Sequence, residues 1–130
     1  MRDENQSVHL EQLLARLRER NAVIGIIGLG YVGLPLALRY AAEGFHVLGI
    51  DIDADKVDQL NRGASYIAHI KPHAIEAARA GGFMASTDFA RAAEADALII
   101  CVPTPLTAYR EPDLSFVIGT VEALLPHMRP

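Results

Sequence analysis

The stretch Val23-Ile24-Gly25-Ile26-Ile27-Gly28-Leu29-Gly30-Tyr31-Val32-Gly33 constrains this chain more than any other. It opens with a continuous apolar, mostly β-branched run, the composition of a strand buried on both faces of a parallel sheet. It then breaks into Gly28-x-Gly30-x-x-Gly33 and passes directly into a helical pattern. Glycines at that spacing do three different jobs. Gly28 permits the tight turn out of the strand. Gly30 has no Cβ, so a pyrophosphate can approach the backbone closely. Gly33 lets the helix pack against the strand. The start of the helix adds unpaired N–H groups, expected at Tyr31 and Val32, and a dipole that favours negative charge. Tyr31 is either a ligand-facing aromatic at the helix mouth or a partly buried core residue.

Ordinary turns match such a glycine pattern often, so context decides. The helix is followed by Gly44-Phe45-His46-Val47-Leu48-Gly49-Ile50-Asp51, a second apolar strand ending in an acid. Asp51 lies 18 residues beyond Gly33, close to the ~20 at which a carboxylate takes the ribose hydroxyls of a dinucleotide. The reading is a dinucleotide site. The alternative is a structural βαβ turn with no ligand. An acid at this point repels a 2′-phosphate, which favours NAD over NADP.

A chain of 130 residues is about one domain and can bury a core without metal or disulfide help. The formal net charge of −4 argues against nucleic acid or an anionic membrane surface as the main partner. One cysteine excludes an intramolecular disulfide and fits a reducing cytosol, and cytoplasmic is the expected location. No apolar run approaches the ~20 residues of a membrane span. The N-terminus mixes acids with arginines and lacks the apolar core of a signal peptide.

Residues 1–21 read as a polar tail, frayed over 1–6, and an amphipathic helix capped by Ser7 and running to about Arg20. Leu10, Leu13, Leu14 and Leu17 form its apolar stripe, which faces either the flank of the domain or another domain or subunit. Residues 22–130 read as a single α/β domain. The helix after the glycines is expected over Tyr31–Glu43, with Pro35 tolerated in its first turn and Gly44 as its stop. Asp53 is the expected cap of a short helix through Arg62. Its neighbours Asp55 and Asp58 are helix acids rather than metal ligands. Lys56 is either a solvated surface lysine or a contact near the adenosine end of the cofactor.

Pro72 starts a further helix through Ala80, Phe83–Ser86 is a short strand, and Ser86 or Thr87 caps an alanine-rich helix over Asp88–Glu94. His69 and His73 are surface or loop histidines without a triad-like neighbour. The strand Ala97–Val102 runs into Pro103-Thr104-Pro105. In a doubly wound sheet of order 3-2-1-4 the cofactor crevice opens between the C-terminal ends of the first and fourth strands, so Thr104 sits where the nicotinamide half passes. Cys101 is a buried small apolar residue within that strand. Asp113 then caps an amphipathic helix marked by Leu114, Val117, Ile118, Val121, Leu124 and Leu125. Only four strands of such a sheet are expected, as in a fragment of something larger.

Taken together, Gly28-Leu29-Gly30-Tyr31-Val32-Gly33-Leu34-Pro35, the Asp51-Ile52-Asp53 strand end with Lys56-Val57, and Cys101-Val102-Pro103-Thr104-Pro105 resemble the NAD-binding domain of the nucleotide-sugar 6-dehydrogenases acting on UDP-glucose, UDP-N-acetylglucosamine and GDP-mannose. Tyr66-Ile67-x-His69-Ile70 and Tyr109-Arg110-Glu111-Pro112-Asp113 resemble most the branch oxidising UDP-N-acetylglucosamine. Other branches read Pro-Ile-x-Glu-Pro-Gly near Tyr66. The resemblance covers about residues 22–130 and implies a Rossmann-type doubly wound parallel sheet, cut after about four strands and preceded by an extra helix. It implies two-fold oxidation of a UDP-sugar C6 hydroxyl to a carboxylate at the expense of two NAD, in a homo-oligomer for polysaccharide biosynthesis.

Residue by residue, Gly28, Gly30, Tyr31, Val32 and Gly33 match the pyrophosphate site. Asp51 matches the ribose ligand, Lys56 an adenosine-side contact, and Val102, Pro103 and Thr104 the cofactor loop after strand four. No catalytic residue and no metal ligand of the family falls in this chain, and Cys101 does not match the family's nucleophile. By itself the chain is expected to bind NAD weakly or not at all and to do no chemistry. Two other readings share this cofactor half: a regulatory NAD-sensing module, and another hydroxyacid or hydroxyacyl dehydrogenase. The Leu34-Pro35 and Pro103-Thr104-Pro105 segments favour the nucleotide-sugar enzyme.

Overall fold

The computed structural model describes residues 4–128, so part of the polar tail expected over 1–6 lies outside the described residues. Four strands form one sheet: β1 (Val23–Ile27), β2 (His46–Ile50), β3 (Phe83–Ser86) and β4 (Ala97–Ile100), in spatial order β3-β2-β1-β4. All three pairings are parallel, with Ile26 opposite Gly49 on one side and Ile99 on the other. The helices are α1 (Glu4–Arg18), α2 (Gly33–Ala42), α3 (Ala54–Asn61), α4 (Pro72–Ala80) and α5 (Ser115–Leu124). This is the doubly wound α/β arrangement.

Alternation along the strands divides the interior into two cores. Ile24 and Ile26, Val47, Phe83 and Ala85 point to one face, where Leu29, Leu34, Ala37, Val57, Leu60 and Ile75 from the turn and helices cover them. Ile27, Leu48 and Ile50 point to the other, against Ala92 and Leu124. The first core is much the larger. Gly49 belongs to it: a Cβ there would stand 2.8 Å from the Leu29 side chain, so the missing side chain is the space Leu29 fills.

Several elements differ from expectation. The leading helix begins at Glu4 and places Ser7 inside it, and it stops at Arg18 because Arg20 turns left-handed at φ 60°. Its leucine stripe is only half used: Leu17 packs on the first core, while Leu10 and Leu14 stay exposed. Polar contacts hold it instead, from Arg16 to Asp96 and from Arg20 to Glu43. The alanine-rich segment Phe89–Glu94 is a 3-10 helix, capped by Asp88 rather than Ser86 or Thr87. Six residues give too few i→i−4 bonds to repay an α nucleus, and the tighter turn spans the gap. Asp113 is not the N-cap of α5; Leu114 holds that position, though the Asp113 carboxylate still accepts from the Ser115 N–H at 2.9 Å.

The expected apolar face of α5 is mostly uncovered, with Leu124 its one buried residue and Phe116, Ile118 and Val121 exposed. The sheet ends at β4 on that side, so among the described residues α5 packs mainly against the two 3-10 segments, Phe89–Glu94 and Leu125–His127, and reaches the second core through Leu124. No helix among the described residues is long and apolar enough to cross a membrane.

Candidate functional site

The glycine turn leaves β1 at Gly28, whose φ of +99° suits only glycine without strain. Its N–H donates to the Ile50 carbonyl at 2.7 Å, which ties the turn to the end of β2. A Cβ on Gly33 would stand 1.6 Å from the Gly28 carbonyl oxygen, so the helix rests directly on the turn. Gly30 is different: a Cβ there meets nothing within 4 Å, because its bare side faces open space. The first α2 bonds are donated by Leu34 to Gly30 at 3.1 Å and by Leu36 to Val32 at 3.2 Å. The N–H groups of Tyr31 and Val32 donate to nothing among the described residues. Both side chains project outward, 79% and 69% exposed, so Tyr31 is not a core residue. The helix accordingly starts two residues later than expected, at Gly33.

Asp51 follows β2 and reaches back to this turn. Its Oδ2 accepts from the Leu29 N–H at 2.8 Å and its Oδ1 from the Asp53 N–H at 2.8 Å. A carboxylate has about four lone-pair directions, so each oxygen keeps acceptor capacity beyond these bonds. Asp53 caps α3 by accepting from the Asp55 and Lys56 N–H groups at 3.0 and 3.3 Å, and Asp58 pairs with Arg62 at 3.4 Å. Those acids have ordinary helical jobs.

Lys56 is half-buried rather than freely solvated, and its ammonium lies 5.7 Å from the centre of the Tyr66 ring. The Tyr66 hydroxyl donates to the Leu29 carbonyl. Burial first, then the charges of Asp51 and Asp53, push the Tyr66 phenol well above the ordinary tyrosine range, so it stays a donor. Site reasoning from sequence missed Tyr66. It lies in a connection without periodicity, and nothing local marks a bond spanning 37 residues.

On the other side of β1, the Cys101 N–H donates to the Ile27 carbonyl at 2.7 Å, which extends the pairing one residue past β4. Cys101 is thus beyond the strand, not within it, and only half-buried. Burial pushes its thiol up, which keeps it a thiol rather than a nucleophile. Val102 packs against the second core, while Pro103 and Thr104 are exposed. Gly28 lies against this segment, since a Cβ on it would meet the Cys101 carbonyl oxygen at 2.6 Å. The glycine turn, Asp51 and the β4 end are therefore neighbours at the C-terminal edge of the sheet, where α/β folds bind ligands. His69 and His73 are exposed and outside this group.

Two other clefts, each of about 540 Å³, lie away from the glycine turn, one along α1 lined by Arg16, Asp96 and Leu98 and one between the end of α1 and α2 lined by Leu17, Leu36 and Tyr40. Concavity alone would select them. The polar groups select the turn: two free N–H groups, an open glycine face and an anchored carboxylate suit the pyrophosphate and ribose of NAD.

Comparison with known proteins agrees. Residues 22–130 match the model of the UDP-glucose/GDP-mannose dehydrogenase family, NAD binding domain. The UDP-N-acetyl-D-mannosamine dehydrogenase of Escherichia coli K12 is 39% identical over 112 residues, covering 83% of this chain and 26% of that protein. Among solved structures, a ternary complex of GDP-mannose dehydrogenase from Pseudomonas aeruginosa superposes with TM-score 0.72 at 32% identity, over 78% of this chain and 24% of that one. The NDP-N-acetyl-D-galactosaminuronic acid dehydrogenase of Methanosarcina mazei gives 0.73 at 31%, over 91% and 28%. The chain spans about a quarter of the length of these relatives. With NAD as the cofactor of that domain, this chain belongs to the UDP-glucose/GDP-mannose dehydrogenase family.

Proposed function

We propose that the protein carrying these residues is an NAD-dependent 6-dehydrogenase of a UDP-N-acetylhexosamine, and that this span holds the cofactor. The observation that carries the reading is the Asp51 carboxylate, anchored by the Leu29 N–H, beside a helix start whose Tyr31 and Val32 N–H groups are free. In it, the carboxylate takes the adenine-side ribose hydroxyls and those N–H groups take the pyrophosphate across the bare face of Gly30. Lys56 lies on the adenosine side and Thr104, with Val102 and Pro103, lines the nicotinamide side. NAD, when bound, would supply the two-electron oxidant for each of the two oxidation steps at the sugar C6. This chain's residues orient that cofactor and exclude NADP through the Asp51 charge. Cys101, with its raised thiol, has no place in attack on the sugar.

The acetamido sugar is supported by two things. The Tyr66-Ile67-x-His69-Ile70 and Tyr109–Asp113 segments resemble the UDP-N-acetylglucosamine branch. The relative from Escherichia coli is named for UDP-N-acetyl-D-mannosamine, the C2 epimer. The test is NADH formation by the full-length protein on UDP-N-acetylglucosamine, UDP-N-acetylmannosamine, UDP-glucose and GDP-mannose. Two equivalents of NADH per acetamido sugar are expected, with the other two at least ~10-fold slower, the scale of one lost hydrogen bond. Preference for UDP-glucose or GDP-mannose overturns the sugar class. NAD binding without oxidation of any of them turns the reading to an NAD-sensing module.

A further inference from the structure

The Leu29 peptide is gripped from both sides. Its N–H is taken by Asp51 Oδ2 at 2.8 Å, and its carbonyl by the hydroxyl of Tyr66. Leu29 itself is fully buried and sits between the two glycines that shape the turn. Tyr66 in turn is fixed by its neighbours: Ile67 and Ile70 are buried in the first core, and the Ser65 hydroxyl both donates to the Ile67 carbonyl at 3.0 Å and accepts from the Ile67 N–H at 3.2 Å. One face of the Tyr66 ring carries the Lys56 ammonium at 5.7 Å. A single aromatic thus touches the backbone of the glycine turn with its hydroxyl and the cation on the adenosine side with its ring.

We infer that Tyr66 is a positioning residue for NAD, its hydroxyl setting the Gly28–Gly30 backbone for the pyrophosphate and its ring setting Lys56 for the adenosine half. The inference rests on the proposed placement of the cofactor. Tyr66 does not touch NAD in it; it acts through Leu29 and Lys56. A free carbonyl at Leu29 lets the turn rotate, and the Tyr31 and Val32 N–H groups that follow lose their common aim. A Lys56 without the ring beneath it loses the attraction that holds an ammonium over an aromatic face.

The two halves of the role separate by substitution. Tyr66→Phe removes the hydroxyl and keeps the ring; Tyr66→Leu removes both. The measurement is NAD affinity by calorimetry on the full-length protein, well below each variant's melting temperature, so that a loss of fold stability alone leaves it unmoved. Tyr66→Phe is expected to weaken NAD ~5-fold, the scale of one hydrogen bond. Tyr66→Leu should weaken it ~20-fold, the further ~4-fold being the cation–ring contribution. In a Lys56→Met background that further factor should vanish while the hydroxyl factor persists, as a double-mutant cycle reads a direct coupling. Wild-type binding with an unchanged Tyr66→Phe affinity overturns this inference alone. Additive effects of Tyr66→Leu and Lys56→Met overturn the ring's part of it. Failure of the wild-type protein to bind NAD overturns the cofactor placement and this inference with it.

Discussion

Asp51 does two jobs with one carboxylate, and they pull its substitutions apart. Toward the protein it accepts the Leu29 and Asp53 N–H groups, both at 2.8 Å. Toward the ligand, in the proposed placement of the cofactor, it offers the remaining lone pairs to a ribose diol. Asp51→Ala should cost NAD about 1.5–3 kcal/mol, the range for hydrogen bonds to a charged group. It should cost NADP less, because the same change removes a repulsion against the 2′-phosphate. A titration with both nucleotides checks this, and an unchanged NAD affinity would remove Asp51 from the ribose role. Its place at the end of β2, against the glycine turn, was legible because an acid closing an apolar strand marks the strand's C-terminal edge. Tyr66 was not, since its partner is 37 residues away and its loop carries no periodicity.

Among elements, the turn from β1 to α2 shows how alike three glycines look in sequence and how unlike they are in space. A methyl on Gly33 would sit 1.6 Å from the Gly28 carbonyl oxygen, while one on Gly30 would meet nothing within 4 Å. Gly33→Ala must therefore push α2 off the turn, and overpacking of that kind costs roughly 3 kcal/mol. Gly30→Ala should leave stability within about 0.5 kcal/mol, as for a surface change, yet obstruct the approach of the pyrophosphate. Thermal melts of the two variants, each with and without NAD, separate these failures. A Gly30→Ala protein that still gains stability from NAD would contradict the proposed approach path. Elements with a strong period or a marked end were legible: the strand order, the Asp53 cap and the Pro72 start all hold. The Phe89–Glu94 segment was not, because alanine spacing does not distinguish a 3-10 turn from an α one at six residues. Nor was the exposure of α5, whose apolar pattern specifies a face to be covered but not the element that covers it.

At the scale of the whole molecule, a parallel sheet gives the domain two unlike ends. At the C-terminal end of the strands lie the glycine turn, Asp51 and Thr104. At the N-terminal end lies Asp96, with a side chain only 6% exposed, whose Oδ2 accepts the Val23 N–H at 2.7 Å while Oδ1 takes the Arg16 guanidinium. That one acid joins α1 to the beginnings of β1 and β4, so it bears on assembly and not on the ligand. Asp96→Ala deprives both the Val23 N–H and the Arg16 guanidinium of an acceptor, a loss of about 2 kcal/mol, or on the order of 8 °C in melting temperature for a domain of this size. Its NAD affinity, measured below that temperature, should match the wild type, because the sheet separates it from the turn. Asp51→Ala should weaken NAD and also lower the melt, because it deprives the Leu29 and Asp53 N–H groups of their acceptor. Measured for both properties, each variant loses stability and only Asp51→Ala loses NAD affinity, and that difference is the claim. A loss of NAD affinity in Asp96→Ala would mean that the two ends are coupled through β1, and that α1 bears on cofactor binding as well as on stability.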